Sequence, residues 1–275
     1  MNIFKDAAAI ALMGSALFLS ACDSGKEKKS ADQQSDAASE AVVTNPEILP
    51  YLNIQEQDAK VALPFCENKS CIDINIQTIH TVDTWLNAWI EKNQATVIQD
   101  QIGSKQNMSL QQAVAAYVKK SDAWQAEIKS NKPYELALYT RVPYQRNQYV
   151  LLQVGVDTKQ ENITVKERYY FFVADRRNQK NITPLDIVDA KQQQNMNQFV
   201  QDAYAKWLDE QTAEVKKAAP KKLYWGQADW FFDQEGVGLH YRTDEIVKDG
   251  KQLDIYLTKA QTQQVLKADV YQHMF

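Results

Sequence analysis

Between residues 134 and 174 the apolar side chains settle into a period of two, and that stretch limits the fold more than any other. Tyr134, Leu136, Leu138 and Val142 alternate along one segment, Val150, Leu152, Val154 and Val156 along the next, with a turn predicted at residues 143–147. Successive side chains of a strand point to opposite faces, so each segment carries one apolar face and the two read as an antiparallel hairpin. Residues 165–174 follow as Val-Lys-Glu-Arg-Tyr-Tyr-Phe-Phe-Val-Ala. Their far end is apolar on both faces, which predicts a central strand covered from both sides.

Helical spacing dominates before this stretch and between it and the C-terminal strands. Val82, Leu86, Trp89 and Ile90 predict a helix over 81–99. Ser109 with Gln112 three positions on forms a capping box that opens a second helix, which Asn131-Lys132-Pro133 ends. A long helix is predicted over 190–218, with Met196, Phe199, Val200, Ala203, Trp207 and Leu208 on its buried stripe and Pro220 as its stop. Strands are predicted at 223–232, 236–243 and 252–257, and a short last helix at 260–267. Strands that cluster as hairpins, not one by one with helices, predict an α+β fold: an antiparallel sheet with helices packed on it.

The chain begins with Lys5 and an apolar run from Ala7 to Leu19, closed by Leu19-Ser20-Ala21-Cys22. That run is too short to cross about 30 Å of hydrocarbon, so it reads as a secretory signal. Small residues ahead of a cysteine resemble the bacterial lipobox. The resemblance implies cleavage after residue 21 and lipidation, with palmitate among the acyl chains, at Cys22. The alternative is an ordinary signal peptide that happens to end at a cysteine. Residues 23–45 are mostly Lys, Glu, Asp, Gln, Ser and Ala with no aromatic, which predicts a disordered tether. The expected organisation is a signal peptide (1–21), a tether (22–45) and a single α+β domain (46–275) with an N-terminal part (46–132) and a C-terminal part (133–275). The membrane is met through the lipid anchor on the periplasmic side. Asp23 resembles an inner-membrane retention signal, the outer membrane being the alternative.

Of the three cysteines, Cys66 and Cys71 remain, flanking a polar turn. In an oxidising compartment they read as a local disulfide, closing a hairpin of residues 61–65 and 72–76. A metal site lacks ligands, since His80 is the single histidine nearby and there is no second cysteine pair.

A net charge of −4 argues against nucleic acid as a partner. The sequence carries no glycine-rich phosphate loop, no Gly-x-Ser-x-Gly elbow and no His-x-x-x-His spacing. No cofactor, metal or catalytic residue is expected. Asp186 and Asp189 read as helix-start caps, not as a glycosidase pair. With six Trp and thirteen Tyr, aromatic contact remains the chemistry to weigh. Placing Ala228, Trp230, Phe232, Val237, Leu239, Tyr241, Leu253, Ile255 and Leu257 inward leaves Trp225, Phe231, His240, Arg242 and Tyr256 on the opposite parity. That second face is either a binding platform or a second core. Trp225, His240 and Tyr256 are its candidate ligand contacts.

The ordered set Val173-Ala174-Asp175-Arg176, Asn181-Ile182-Thr183-Pro184-Leu185-Asp186-Ile187-Val188, a long amphipathic helix, Trp230-Phe231-Phe232, Gly236-Val237-Gly238-Leu239-His240-Tyr241 and Leu253-Asp254-Ile255-Tyr256-Leu257 resembles the RsiV/PdaC-like extracellular domain family over about residues 133–270. The resemblance implies an RsiV-like α+β fold and a non-catalytic envelope domain; RsiV-type domains bind lysozyme. An anti-sigma role is not expected, because only Met1 to Asp6 precede the apolar run. The expected function is therefore capture of a protein ligand such as lysozyme or another cell-wall enzyme. The alternatives are a peptidoglycan or glycan binder, an envelope hydrolase with an unrecognised site, and a structural assembly factor.

Overall fold

The computed structural model describes residues 49–66, 71–129 and 132–275, all within one unit, Asn45–Phe275. The leader, Cys22 and the tether lie outside the described residues. The first elements are β1 (Gln55–Asp58), β2 (Asp73–His80), α1 (Thr84–Gln101), α2 (Leu110–Ile128), β3 (Glu135–Arg146), β4 (Tyr149–Gln160), β5 (Ile163–Asp175) and β6 (Lys180–Ile182). Helices α3 (Pro184–Ile187), α4 (Gln193–Asp209) and α5 (Ala213–Ala218) follow, then β7 (Asp229–Phe232), β8 (Val237–Tyr241), β9 (Leu253–Tyr256), α6 (Lys259–Val265) and α7 (Ala268–Met274).

The fold is α+β. A six-stranded sheet of order β1-β2-β3-β4-β5-β6 sits with a three-stranded sheet of order β7-β8-β9. The smaller sheet is wholly antiparallel, but β2 and β3 pair in parallel, so the larger sheet is mixed, not antiparallel throughout. A parallel pair needs a crossover connection, and α1 with α2 supply it.

Local chemistry sets the helix limits. Asp83 caps α1, its Oδ1 accepting from the Leu86 amide at 3.0 Å. Ser109 and Gln112 form the expected capping box on α2, and Lys129 ends that helix in the left-handed region at φ 53°. The helix predicted over 190–218 is broken. It runs as α4 to Asp209; Gln211 folds back to donate to the Trp207 carbonyl at 3.1 Å, and Thr212 caps α5. The segment predicted as a strand from 223 is a 3-10 turn at Trp225–Gln227, with strand only from Asp229, and α7 extends past the predicted last helix.

The predicted hairpin around the cysteines is also corrected. Residues 61–65 form no strand; β2 pairs instead with β1, Gln55 opposite His80. The Cys66–Cys71 disulfide closes a small loop in the β1–β2 connection, with Cα atoms 5.8 Å apart. A loop of five residues' separation removes little unfolded-chain entropy. Cys71→Ser should therefore cost at most about 2 kcal/mol in urea unfolding; a larger loss would mean the bond holds more than its own turn.

Strand β4 carries two cores. Val150, Leu152, Val154 and Val156 face α1 and α2, packing with Leu86, Ile90, Val114 and Tyr117. Tyr149 and Leu151 face the other way, into a core built by α4 and the small sheet. Helix α4 contributes Met196, Val200, Tyr204 and Trp207, at helical spacing on one stripe. All nine side chains assigned inward from β7, β8, β9 and their flanks are buried in this second core. It covers only one end of the large sheet, where β5 reaches Val173.

Candidate ligand-binding groove

Away from that end, no helix among the described residues lies over the second face of β3, β4 and β5. The odd-numbered positions lie on it. Tyr139 stands beside Gly155 and Gly155 beside Tyr169; the next rows pair Arg141 with Gln153 and Ala137 with Asp157. Strands β2 and β3 stay in register only from Asp73 opposite Glu135 to Ile76 opposite Leu138. Beyond that the two strands part, and a groove of about 460 Å³ opens between them.

The floor of the groove is polar and satisfied. Gln94 of α1, 1% exposed, reaches up to donate to Thr140 Oγ1 at 2.8 Å and accepts from Thr78 Oγ1 at 3.3 Å. A buried amide without partners would be costly, so this bridge fixes how far β2 and β3 separate. One wall holds Gln57, Gln77, Glu56 and Asp58; the other holds Tyr139, Tyr169, Arg141 and Gln153. Arg141 Nε donates to Gln153 Oε1 at 2.5 Å.

The tyrosine wall is held from below. The Tyr139 ring lies across Gly155, where a Cβ atom would sit 2.0 Å from its Cε2. Its hydroxyl donates to Asp157 Oδ1 at 3.0 Å, and the same oxygen accepts the Glu167 amide at 2.7 Å. Glu167 is the β5 bulge residue, at φ 53°. Burial first, then the Asp157 carboxylate, push the Tyr139 hydroxyl above its ordinary range, so it remains a donor. The two rings meet edge to face, centroids 6.5 Å apart.

The candidate contacts read from the sequence lie elsewhere, and two of the three are corrected. Trp225 is 2% exposed; its indole N–H donates to Asn197 Oδ1 at 2.6 Å inside the α4 core. His240 is also 2% exposed, with Nδ1 2.6 Å from Asp254 Oδ1 and Phe171 of β5 edge-on at 5.1 Å. Both serve packing: Trp225 lies in the turn before β7 and is buried against α4, and Phe171 of β5 covers His240. Tyr256 alone is presented, at 44% exposed, its hydroxyl donating to Asp233. Asp186 and Asp189 cap, as expected: Asp186 accepts from the Thr183 amide at 2.9 Å and Asp189 from the Lys191 amide at 2.8 Å.

Where β7 and β8 meet β5, a polar network crosses between the sheets. Arg242 donates to Asp229 Oδ2 at 2.5 Å and to Glu245 Oε1 at 2.9 Å, and its guanidinium lies 4.1 Å from the Tyr170 ring centre. Tyr170 in turn donates to Asp100 of α1. Asp229 also accepts the Phe171 amide at 3.2 Å. Burial pushes Asp229 up to about 6, against the pull of Arg242. Burial opposes ionisation of Asp254 too, but hydrogen bonds from His240 and Gln252 outweigh it and hold that carboxyl below its usual range. Among the described residues, no cluster of His, Cys, Asp or Glu is placed to hold a metal ion. No described helix is long and apolar enough to cross a membrane.

No family profile and no curated protein matches the chain by sequence. Solved structures do match it in three dimensions. A DUF3298 family protein from Pseudomonas aeruginosa PAO1 superposes with a TM-score of 0.56 at 16% identity, covering 81% of this chain and 97% of that one. The fold is DUF3298-like. A DUF3298 member from Bacteroides fragilis NCTC 9343 agrees, with a TM-score of 0.54 at 13% identity and the same coverage, 81% and 97%. DUF3298 is the RsiV/PdaC-like domain, so the fold is the one that the sequence resemblance implies. The resemblance does not single out the groove of this DUF3298-like fold. Its signal lay in the polar parity of β3 and β4, where Tyr139, Arg141, Gln153, Gly155 and Asp157 alternate with the apolar positions.

Proposed function

We infer that the protein is a lipid-anchored envelope module, facing the periplasm through Cys22, that captures a cationic protein such as lysozyme or another cell-wall enzyme and performs no chemistry. The observation that carries the reading is an open, helix-free sheet face with a preformed groove whose exposed wall is acidic. Glu56 and Asp58 stand against Arg141 alone. Unlike charges across an interface speed encounter and fix register.

A second reading, a peptidoglycan glycan, is favoured by one feature. Tyr139 and Tyr169 stand among the amides of Gln57, Gln77 and Gln153, a mixture suited to sugar hydroxyl and acetamido groups. Calorimetry with lysozyme at low salt should give saturable heat that weakens as salt rises, since exposed charges are screened beyond about 10 Å at 0.1 M. No heat with lysozyme, together with retention on purified sacculi, would replace the first reading by the second.

A further inference from the structure

We propose that the free edge of β9 and the facing side of α4 form a separate binding site, one that takes an extended basic peptide as an added strand. The Leu257 amide donates to the Val237 carbonyl at 2.9 Å. With Leu239 opposite Ile255 and Tyr241 opposite Leu253, this fixes the hydrogen-bonded pairs of the β8–β9 ladder. Asp254 and Tyr256 fall between those pairs, so the N–H and C=O of each point away from β8. Strand β9 is the last in its sheet, and those groups line an open edge. Such an edge is a template for another strand.

A cavity of about 570 Å³ runs along this edge, bounded on the helix side by Phe199, Ala203 and Trp207. Trp207 Nε1 donates to the Gln252 carbonyl at 3.2 Å and so closes the edge just ahead of β9. A helix this close leaves room for one chain and obstructs a whole second sheet. The added strand would turn alternate side chains toward the apolar helix wall and the others toward solvent. On that outer side stands Asp254, while Asp202 and Glu210 rise from α4, with Lys206 the one cation lining the cavity. The Asp254 side chain is 45% exposed. The surplus of carboxylates calls for lysine or arginine at the outward positions and small apolar residues at the inward ones.

The site shares no lining residue with the β1–β3 groove, so lysozyme capture can fail without touching it. Fluorescence anisotropy of the purified protein with a labelled Lys-Val-Lys-Val-Lys-Val-Lys peptide tests it. The expected result is saturable micromolar binding, about ten-fold weaker when the two lysines beside the central valine are N-methylated, since an antiparallel added strand turns their N–H groups, opposite Asp254 and Tyr256, to β9. Ala203→Arg, filling the cavity from a partly exposed helix position, should weaken binding as much with the melting temperature unchanged. Amide exchange at Asp254 and Tyr256 should slow when the peptide is added. Binding that stays unsaturated to millimolar peptide would overturn the proposal, as would binding indifferent to both N-methylation and Ala203→Arg. So would a sedimenting dimer that Ala203→Arg dissolves, since the edge would then belong to a second copy.

Discussion

Arg242→Met should cost about 3 kcal/mol of stability at pH 8 and far less at pH 5. Removing one partner of a buried ion pair strands the other, and Arg242 has two: the Asp229 side chain is 19% exposed and that of Glu245 29%. The pH dependence comes from Asp229. Its folded pKa of about 6 lies above the unfolded value of about 3.9, so the folded protein holds the proton more tightly. Stability from this group is therefore complete below about pH 4 and falls as pH rises toward 6. At pH 5 the folded Asp229 is mostly neutral and needs no cation. At pH 8 it is ionised and Arg242 is its counter-charge. Without Arg242 the carboxyl must either stay charged in a poor environment or keep its proton at a cost. Urea unfolding at the two pH values reads the difference, and equal losses at both would show that Arg242 acts by packing alone. Adding Asp229→Asn to the variant should restore part of the pH 8 loss, since an amide oxygen can still accept the Phe171 amide.

Gly155→Val should weaken lysozyme binding about 100-fold while leaving the molecule folded. A Cβ at this position would sit 2.0 Å from the Tyr139 ring, far inside van der Waals contact. The ring rests on the open face, half-buried, so it can swing away without disturbing either core. Its departure breaks the 3.0 Å bond to Asp157 and removes one tyrosine from the groove wall. The stability cost should stay near the 1–3 kcal/mol typical of overpacking. Tyr139→Phe is the control: it keeps the ring and deletes only the hydroxyl, so it should cost much less affinity. Calorimetry beside a thermal melt checks both; wild-type affinity in Gly155→Val would remove the groove from the interface.

What could be read in advance follows from what each element buries. The β7–β9 parity was legible because its inward positions are aromatic or branched and its turns contain Gly236 and Gly250. The α2 cap was legible because Ser109 and Gln112 satisfy backbone groups within four residues. Strand β1 was not: Gln-Glu-Gln-Asp is exposed throughout and shows no alternation. The parallel β2–β3 pairing was equally hidden, since periodicity gives the face of a strand and not its neighbour's direction. The break after Asp209 contains neither glycine nor proline; Gln211 makes it by bonding to Trp207 and to the Lys251 amide at 3.3 Å, a partner 40 residues away. The groove is hidden because its residues lie on the polar parity, and a polar face becomes a site only when nothing covers it. Trp225 and His240 mislead for the converse reason: a 3-10 turn removes Trp225 from strand parity and seats it against α4, and Phe171 of β5 arrives from distant sequence to cover His240.

Arg176 has a mechanical consequence. It is 6% exposed, its Nε donates to Asp83 Oδ2 at 3.0 Å, and its Nη2 donates to the Pro50 carbonyl at 3.0 Å, just ahead of β1. Asp83 is anchored in turn at the start of α1. A pull on the chain from its N-terminal side therefore loads this cleat before it loads the four-residue strand that walls the groove. The groove wall keeps its shape under tension for as long as the guanidinium holds.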